Sequence, residues 1–171
     1  RTALAHHLGV DAHNIVTGAG SLGALNQILK AFAGASLDGT QDEVIYAWRS
    51  FEAYPILVGL LGAKSVQIPN LPNGAHDLNT MAQAVTDRTR VILVCTPNNP
   101  TGPAVTEAQM REFLTKIPEN VVVVIDEAYY EFCTASTVPA GQNAPVNGLN
   151  LLNDHPNVIV LRTFSKAQGL A

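Results

Sequence analysis

The chain has 171 residues, of which 47% are hydrophobic and 14% charged, so it has the composition of a globular protein and not of a disordered one. Its 14 acidic and 10 basic residues give a net charge of −4 without any run of lysine or arginine, which argues against nucleic acid or an anionic membrane as a partner. No apolar run is long enough to cross a bilayer. The two cysteines do not suggest a disulfide framework, and we expect a cytoplasmic protein.

Apolar runs alternate with helical patterns along the chain. The runs at 14–18, 43–47, 65–69, 91–95, 121–125 and 158–162 are predicted to be strands. Helical patterns begin within the first ten residues and recur at 21–33, 52–61, 78–85 and 107–116, with a weak one at 148–153. Loops rich in Gly, Pro and Asn occupy 34–42, 70–77 and 134–148.

Three of the apolar runs are continuous Val, Ile and Leu without polar alternation. Such runs are typical of strands buried on both faces of a parallel sheet. Together with the alternating helices they predict a three-layer α/β/α fold with a mostly parallel sheet. Ligands of such folds bind outside the carboxyl ends of the strands, so the residues that follow each strand are the candidates for a site.

The first two strand ends carry glycines and aromatic rings. Gly18, Gly20 and Ser21 lie between the first strand and a helix, where backbone N–H groups and a hydroxyl can hold a phosphate, although an ordinary turn is the simpler interpretation. Phe51 and Tyr54 lie in the segment AWRSFEAYP after the second strand. They are either core residues or, for one ring, a plate for a planar ligand.

The next two strand ends carry an amide and a carboxylate. Asn99 follows the fourth strand and precedes a proline, which disfavours helical backbone at this position and directs an amide towards the sheet edge; a plain turn would look the same. Asp126 directly follows VVVVI, and an ionised carboxylate at so apolar a position needs a partner. A helix cap or a metal ligand are the alternatives, but no histidine lies near Asp126 in a ligand pattern.

The segment after the last strand, RTFSKA, places Lys166 beside two hydroxyls, Thr163 and Ser165. A single lysine is usually a solvated surface residue. At the end of a buried strand it can instead lose its proton more readily and attack a carbonyl. An amine, a carboxylate, an amide, an aromatic plate and a phosphate cradle together match pyridoxal 5′-phosphate (PLP).

The motifs NNPTG, DEAYYEF and RTFSKAQGLA, in this order and spacing, resemble those of fold-type I PLP-dependent aminotransferases. The similarity covers essentially the whole chain and is greatest to the histidinol-phosphate aminotransferase branch, including its aromatic amino acid aminotransferase relatives. It implies PLP as cofactor, amino-acid and 2-oxo-acid substrates, and a homodimer.

The resemblance also assigns roles. Lys166 is expected to form the Schiff base and move the substrate proton, and Asp126 to hold the pyridine nitrogen. Tyr129 and Asn99 are expected to donate to the phenolic oxygen of the cofactor, and Phe51 to stack on its ring. The phosphate cradle is expected to comprise Gly20, Ser21, Thr163 and Ser165. Gln168 departs from the family, which often has an aromatic residue there.

The resemblance further implies that residues 1–171 form part of a PLP-binding large domain. We expect the N-terminal arm, a final sheet strand and the C-terminal small domain to lie outside this sequence. Transamination of an aromatic amino acid or of histidinol phosphate, within aromatic amino acid or histidine biosynthesis, is the expected reaction. A decarboxylase or lyase on the same fold, or a truncated chain without activity, are the alternatives.

Overall fold

The computed structural model describes residues 1–133 and 144–170. The helices are α1 (Thr2–Leu8), α2 (Gly20–Phe32), α3 (Ala53–Leu60), α4 (Leu78–Gln83) and α5 (Glu107–Leu114). The strands are β1 (Glu43–Trp48), β2 (Lys64–Pro69), β3 (Thr89–Cys95), β4 (Val122–Asp126) and β5 (Val158–Leu161). Short 3₁₀ helices occur at Ala12–Asn14, Tyr130–Phe132 and Gly148–Leu151.

The five strands form one sheet in the order β2-β1-β3-β4-β5, and all four pairings are parallel. Because parallel strands end at the same edge of a sheet, the segments after β1, β3, β4 and β5 meet there. The predicted parallel α/β sheet is confirmed, and the five strands lie close to the predicted bounds.

Helices cover both faces of the sheet, which gives the predicted three layers. On one face, α4 and α5 bury Met81, Met110 and Phe113 against the strands. On the other, α2 and α3 bury side chains such as Leu29 and Val58. Successive strand residues alternate between the two cores, as the period of two requires. This burial on both faces explains why the central strands are apolar without interruption.

The strand predicted at 14–18 is wrong. Ile15 has extended backbone angles (φ −112°, ψ 125°) and is buried, whereas Val16 is 73% exposed. Within the described residues no ladder pairs this segment with a strand of the sheet. An apolar run becomes a strand only where a neighbour accepts and donates its backbone hydrogen bonds, and this segment instead continues from the Ala12–Asn14 turn into the loop before α2.

Two further expectations concern the segment at 134–153. The weak helix predicted at 148–153 is a single 3₁₀ turn, Gly148–Leu151, which Asn147 caps through its side chain. Most of the loop predicted at 134–148 lies outside the described residues. At the start of α5, Thr106 and Gln109 form a capping box, because each side chain accepts a hydrogen bond from the backbone N–H of the other residue. Among the helices described here, none is long and apolar enough for a membrane crossing.

A buried ion pair joins the ends of β4 and β5. Glu127 is fully buried and accepts two hydrogen bonds from Arg162, at 2.8 and 2.9 Å, and one from the Gly148 N–H at 2.6 Å. The guanidinium also donates to Asn147 and lies 3.9 Å from the centre of the Tyr130 ring. Burial raises the pKa of Glu127, whereas the Gly148 N–H and Arg162 act in the opposite direction.

We predict that Arg162→Met destabilises the protein by about 3–5 kcal/mol, because it leaves the Glu127 carboxylate buried without its cation. Arg111→Met is the matched control, since the same substitution there breaks exposed ion pairs to Glu107 and Asp154 and should cost at most about 1 kcal/mol. Chemical denaturation of the complete protein measures both. Adding Glu127→Gln to Arg162→Met should recover part of the loss.

The loss should also depend on pH. Without Arg162 the pKa of Glu127 rises further, so the folded protein binds a proton that the unfolded chain does not. The deficit is therefore largest above that raised pKa and shrinks as the pH falls through it. Equal losses in the two arginine variants, or a deficit that does not change with pH, would contradict a buried charge at Glu127.

Candidate active site

A cleft of about 40 Å³ lies at the carboxyl edge of the sheet. It is lined by Ser21, Phe51, Cys95, Asn99, Asp126, Ala128, Tyr129 and Lys166. Six of these residues were singled out from the sequence, and they come from five places in the chain: the start of α2 and the ends of β1, β3, β4 and β5. The enclosed space equals about one or two water molecules, so a larger ligand would also occupy the open side of the cleft.

Asp126 is the last residue of β4 and is 4% exposed. Its Oδ2 accepts a 2.7 Å hydrogen bond from the Tyr54 hydroxyl, and its Oδ1 accepts one of 3.2 Å from the Ala128 N–H. Burial raises the pKa of Asp126, and the bonds from Tyr54 and Ala128 and the charge of Lys166 oppose that rise. The carboxyl group is thus buried and faces the cleft, and its ionised form needs donors or positive charge beside it.

Lys166 supplies the amine of the cleft and is exposed to solvent. Its Nζ lies 5.2 Å from the centre of the Tyr129 ring, a cation–π distance. The loop that carries it is closed by backbone bonds from Gly169 to Lys166 and from Leu170 to Phe164. The amine is therefore presented by an ordered turn, where it can react with a carbonyl when it is unprotonated.

Asn99 lines the cleft because its neighbour Asn98 holds the turn after β3. The buried Asn98 side chain accepts from the Ser50 hydroxyl at 2.7 Å and donates to the Arg49 carbonyl at 2.9 Å and the Thr101 hydroxyl at 2.6 Å. These bonds connect the ends of β1 and β3. The Asn98 side chain is therefore used in hydrogen bonds that hold the turn, whereas Asn99 lines the cleft.

Phe51 and Tyr54 come from one short segment after β1. Their ring centres lie 5.6 Å apart in an edge-to-face arrangement, and the Tyr54 N–H donates to the Phe51 carbonyl. Phe51 is half-buried and lines the cleft, whereas Tyr54 is fully buried beneath it. The two interpretations of these aromatics therefore apply to different residues: Tyr54 belongs to the core and Phe51 faces the cleft.

The start of α2 forms one side of the cleft through Ser21. Gly20 begins the helix with φ 64°, in the left-handed region that favours glycine. At Gly18 an added Cβ would lie 2.7 Å from the Ala24 N, so the loop packs against its own helix there. Gly20 is exposed beside Ser21 and does not line the cleft itself.

Thr163 and Ser165 do not line the cleft. Their hydroxyls lie 2.7 Å from each other, and the Ser165 N–H donates to the Thr163 hydroxyl at 3.2 Å. Thr163 is buried and Ser165 exposed. The structure thus brings six of the nine predicted site residues to one cleft and leaves Gly20, Thr163 and Ser165 outside its lining.

Several contacts of the site could not be predicted from sequence motifs. Cys95 lies beside Asp126 because β3 and β4 pair in that register, and burial, followed by the Asp126 charge, raises the pKa of its thiol to about 12. Tyr54 and Asn98 act through contacts that depend on folding. The sequence signals beside them were the cluster of aromatic residues around Tyr54 and the NNPTG motif, which begins at Asn98. Across the part of the chain that the structure describes, no group of three or more potential metal ligands occurs.

The chain is similar throughout to known aminotransferases. A family model for aminotransferase class I and II matches residues 1–171. The aromatic amino acid aminotransferase of Cutibacterium acnes is 52% identical over 171 residues, which cover all of this chain and 45% of that protein. The aromatic amino acid aminotransferase of Streptomyces coelicolor is 50% identical over 168 residues, 98% of this chain and 44% of that protein.

Among solved structures, a histidinol-phosphate aminotransferase from Sinorhizobium meliloti, in complex with pyridoxal-5′-phosphate, matches with a TM-score of 0.82 and 30% identity. The match covers 99% of this chain and 42% of that one. The chain thus spans less than half the length of the relatives it matches. Because the family model covers every residue, the chain belongs to the aminotransferase class I and II family.

Proposed function

We propose that this chain carries the cofactor-binding part of a PLP-dependent aminotransferase. The observation that carries the proposal is the common cleft of Lys166, Asp126, Asn99, Tyr129 and Phe51. An amine, a buried carboxylate, two hydrogen-bond donors and an aromatic ring are the groups that PLP needs from a protein. The names of the relatives, and the PLP in the Sinorhizobium structure, support the same conclusion.

The donor set fits PLP chemically. Asp126 is a buried carboxylate, and among the described residues no Lys or Arg forms a salt bridge with it. Such a charge is stabilised by a cationic ligand atom, and a protonated pyridine nitrogen is one. Lys166 is held by a cation–π contact to Tyr129, which a ligand that reacts with the amine would replace.

Each residue would have a defined part in holding the cofactor. Asp126 would face the pyridine nitrogen and keep a proton on it, whereas Asn99 and Tyr129 would donate to the phenolic oxygen. Phe51 would stack on the ring. At the other end, Gly20, Ser21, Thr163 and Ser165 are proposed for the phosphate, with the N–H groups at the start of α2.

When bound, PLP supplies an aldehyde that an amine can condense with and a ring that accepts electrons from a carbanion. The protein supplies the proton transfers. Lys166 would take the proton from the substrate Cα and deliver it to the aldehyde-derived carbon of the cofactor, C4′, because its amine is the base of the cleft. The ionised Asp126 would make the ring a better electron acceptor by stabilising the charge on its nitrogen.

An aromatic amino acid is the substrate class that the similarities favour. Relatives about half identical over the whole chain carry that name, whereas the histidinol-phosphate aminotransferase is 30% identical. Histidinol phosphate, and with it histidine biosynthesis, is the second candidate. A 2-oxo acid would accept the amino group in either case.

We propose that residues 1–171 are part of a PLP-binding large domain in a longer cytoplasmic protein. An N-terminal arm, one more sheet strand and a C-terminal small domain would complete it. The complete protein would act as a homodimer.

Lys166→Ala in the complete protein should remove the visible absorbance band that forms with PLP and nearly all turnover, because among the residues that the structure describes no other amine lines the cleft. Lys30→Ala, an exposed lysine of α2, is the matched control and should leave both unchanged. Spectrophotometric titration with PLP and a steady-state assay measure the two properties. Turnover and an unchanged band in Lys166→Ala would overturn the assignment.

Asp126→Asn should retain part of the cofactor binding but lose most of the proton abstraction from substrate Cα. An uncharged amide cannot hold the ring nitrogen in its protonated form, so the ring becomes a poor electron acceptor. Exchange of the substrate α-hydrogen with deuterated solvent measures this step directly. Exchange at the unmodified rate would assign the ring nitrogen to a different partner.

The reaction type and substrate can be separated in one experiment with the complete protein. Phenylalanine, tyrosine and histidinol phosphate are offered singly with 2-oxoglutarate, and both the new amino acid and carbon dioxide are measured. We expect glutamate formation with the aromatic amino acids and no carbon dioxide. A preference for histidinol phosphate would make it the substrate in place of an aromatic amino acid. Release of carbon dioxide would identify a decarboxylase.

A further inference from the structure

Tyr54 stands directly behind the carboxylate of the cleft. It is 0% exposed, and its hydroxyl donates a 2.7 Å hydrogen bond to Asp126 Oδ2. The position of its ring is fixed by edge-to-face contacts with Phe51 at 5.6 Å and Tyr46 at 5.7 Å. The side-chain partners of this deeply buried hydroxyl are thus the Asp126 carboxylate and the Cys95 thiol.

The surroundings of Asp126 leave it few other sources of stabilisation. From β3 it meets Cys95, which stays a neutral thiol because its pKa is about 12. From its own segment it meets the Ala128 N–H at 3.2 Å. From the loop after β5 it meets the charge of Lys166, which forms no hydrogen bond with it in the described residues. The hydrogen bond from the Tyr54 hydroxyl is thus the shorter of the two that the Asp126 side chain accepts.

The positive charge of Lys166 stabilises the Asp126 carboxylate only while the amine is protonated. A lysine that reacts with a carbonyl must first lose its proton, so its attraction for Asp126 weakens at that moment. A neutral hydroxyl donor does not change in this way. Burial keeps the Tyr54 proton in place, since burial and the neighbouring carboxylate both raise the pKa of the phenol.

We propose that Tyr54 is a positioning residue that keeps Asp126 ionised and aimed into the cleft through its hydrogen bond to Oδ2. Its effect on the reaction rests on the proposed function, because only then does Asp126 face a pyridine nitrogen. With PLP bound, the Asp126 carboxylate and the pyridine nitrogen would compete for one proton. The hydroxyl bond lowers the basicity of Asp126 and would favour the proton on the ring, whereas its loss would favour the proton on the carboxylate.

The first test needs no cofactor. The complete protein, prepared without PLP and labelled with ¹³C at the aspartate side-chain carboxyls, is titrated by NMR, and Asp126→Asn identifies the Asp126 resonance. In Tyr54→Phe the titration midpoint of Asp126 should move to higher pH, because a donor to the ionised form has been removed. An unmoved midpoint in a folded Tyr54→Phe variant would overturn the proposal.

Tyr46→Phe is the matched control. Tyr46 is equally buried, packs against Tyr54 and loses a hydroxyl contact to Gln67 Nε2 at 3.1 Å, but it does not touch Asp126 in the described contacts. The Asp126 midpoint should stay in place in this variant. A shift of equal size would mean that rearrangement of the buried side chains moves the midpoint, and it would contradict a specific role for Tyr54.

If Tyr54→Phe does not fold, the unmodified protein decides the question. With ¹³C at tyrosine Cζ, the Tyr54 resonance should shift with the same midpoint as the Asp126 carboxyl, and that shift should vanish in Asp126→Asn. A Tyr54 resonance that is insensitive to the titration of Asp126 would overturn the proposal.

The second test uses the protein loaded with PLP. In Tyr54→Phe the midpoint of the pH titration of the visible absorbance should move to higher pH. The ring nitrogen would carry less positive charge in this variant, and that charge is what disfavours a second proton on the group conjugated with the ring. Turnover should fall by about tenfold. A merely structural role would weaken PLP binding without moving this midpoint. Absence of any visible band in the unmodified protein would refute the proposed function, while the cofactor-free titration would still decide the link between Tyr54 and Asp126.

Discussion

The burial of the Asp126 carboxylate is the constraint on which the arrangement of the cleft depends. A charge at the end of an apolar strand is tolerated only with partners, and the neighbouring elements supply them. Tyr54 reaches it from α3, and the Ala128 N–H from its own chain. Lys166 adds a positive charge from the loop after β5. Under the proposed function, a ligand with a protonated nitrogen would add a further positive charge beside this carboxylate.

A second group of buried polar contacts keeps the strand ends in place without facing the cleft. The Glu127–Arg162 pair ties the residue after Asp126 to the start of the lysine loop. Asn98 likewise ties the end of β1 to the turn that carries Asn99. Each supporting residue is a direct chain neighbour of a cleft segment. Rigid support of this kind is needed because small displacements of reacting groups lower the rate strongly.

Much of the fold followed from short-range pattern. The uninterrupted apolar runs of β3 and β4 predicted a sheet covered on both faces, and the two cores bear this out. The prediction failed at residues 14–18, where a shorter apolar run, Ile15 and Val16 between polar residues, finds no pairing neighbour within the described chain. Hydrophobic pattern reports burial, but a strand also needs a partner for its backbone, which a local pattern does not contain.

The sequence by itself determined the family of the chain, its parallel α/β architecture and the residue types that meet at the strand ends, because these depend on motifs and on periodicity within single elements. Tertiary structure alone decided which hydroxyl reaches Asp126, that Cys95 lies beside it, and that Asn98 supports the turn while Asn99 faces the cleft. These contacts join residues from 31 to 72 positions apart. They are set by strand register and helix packing, which no single segment of the chain encodes.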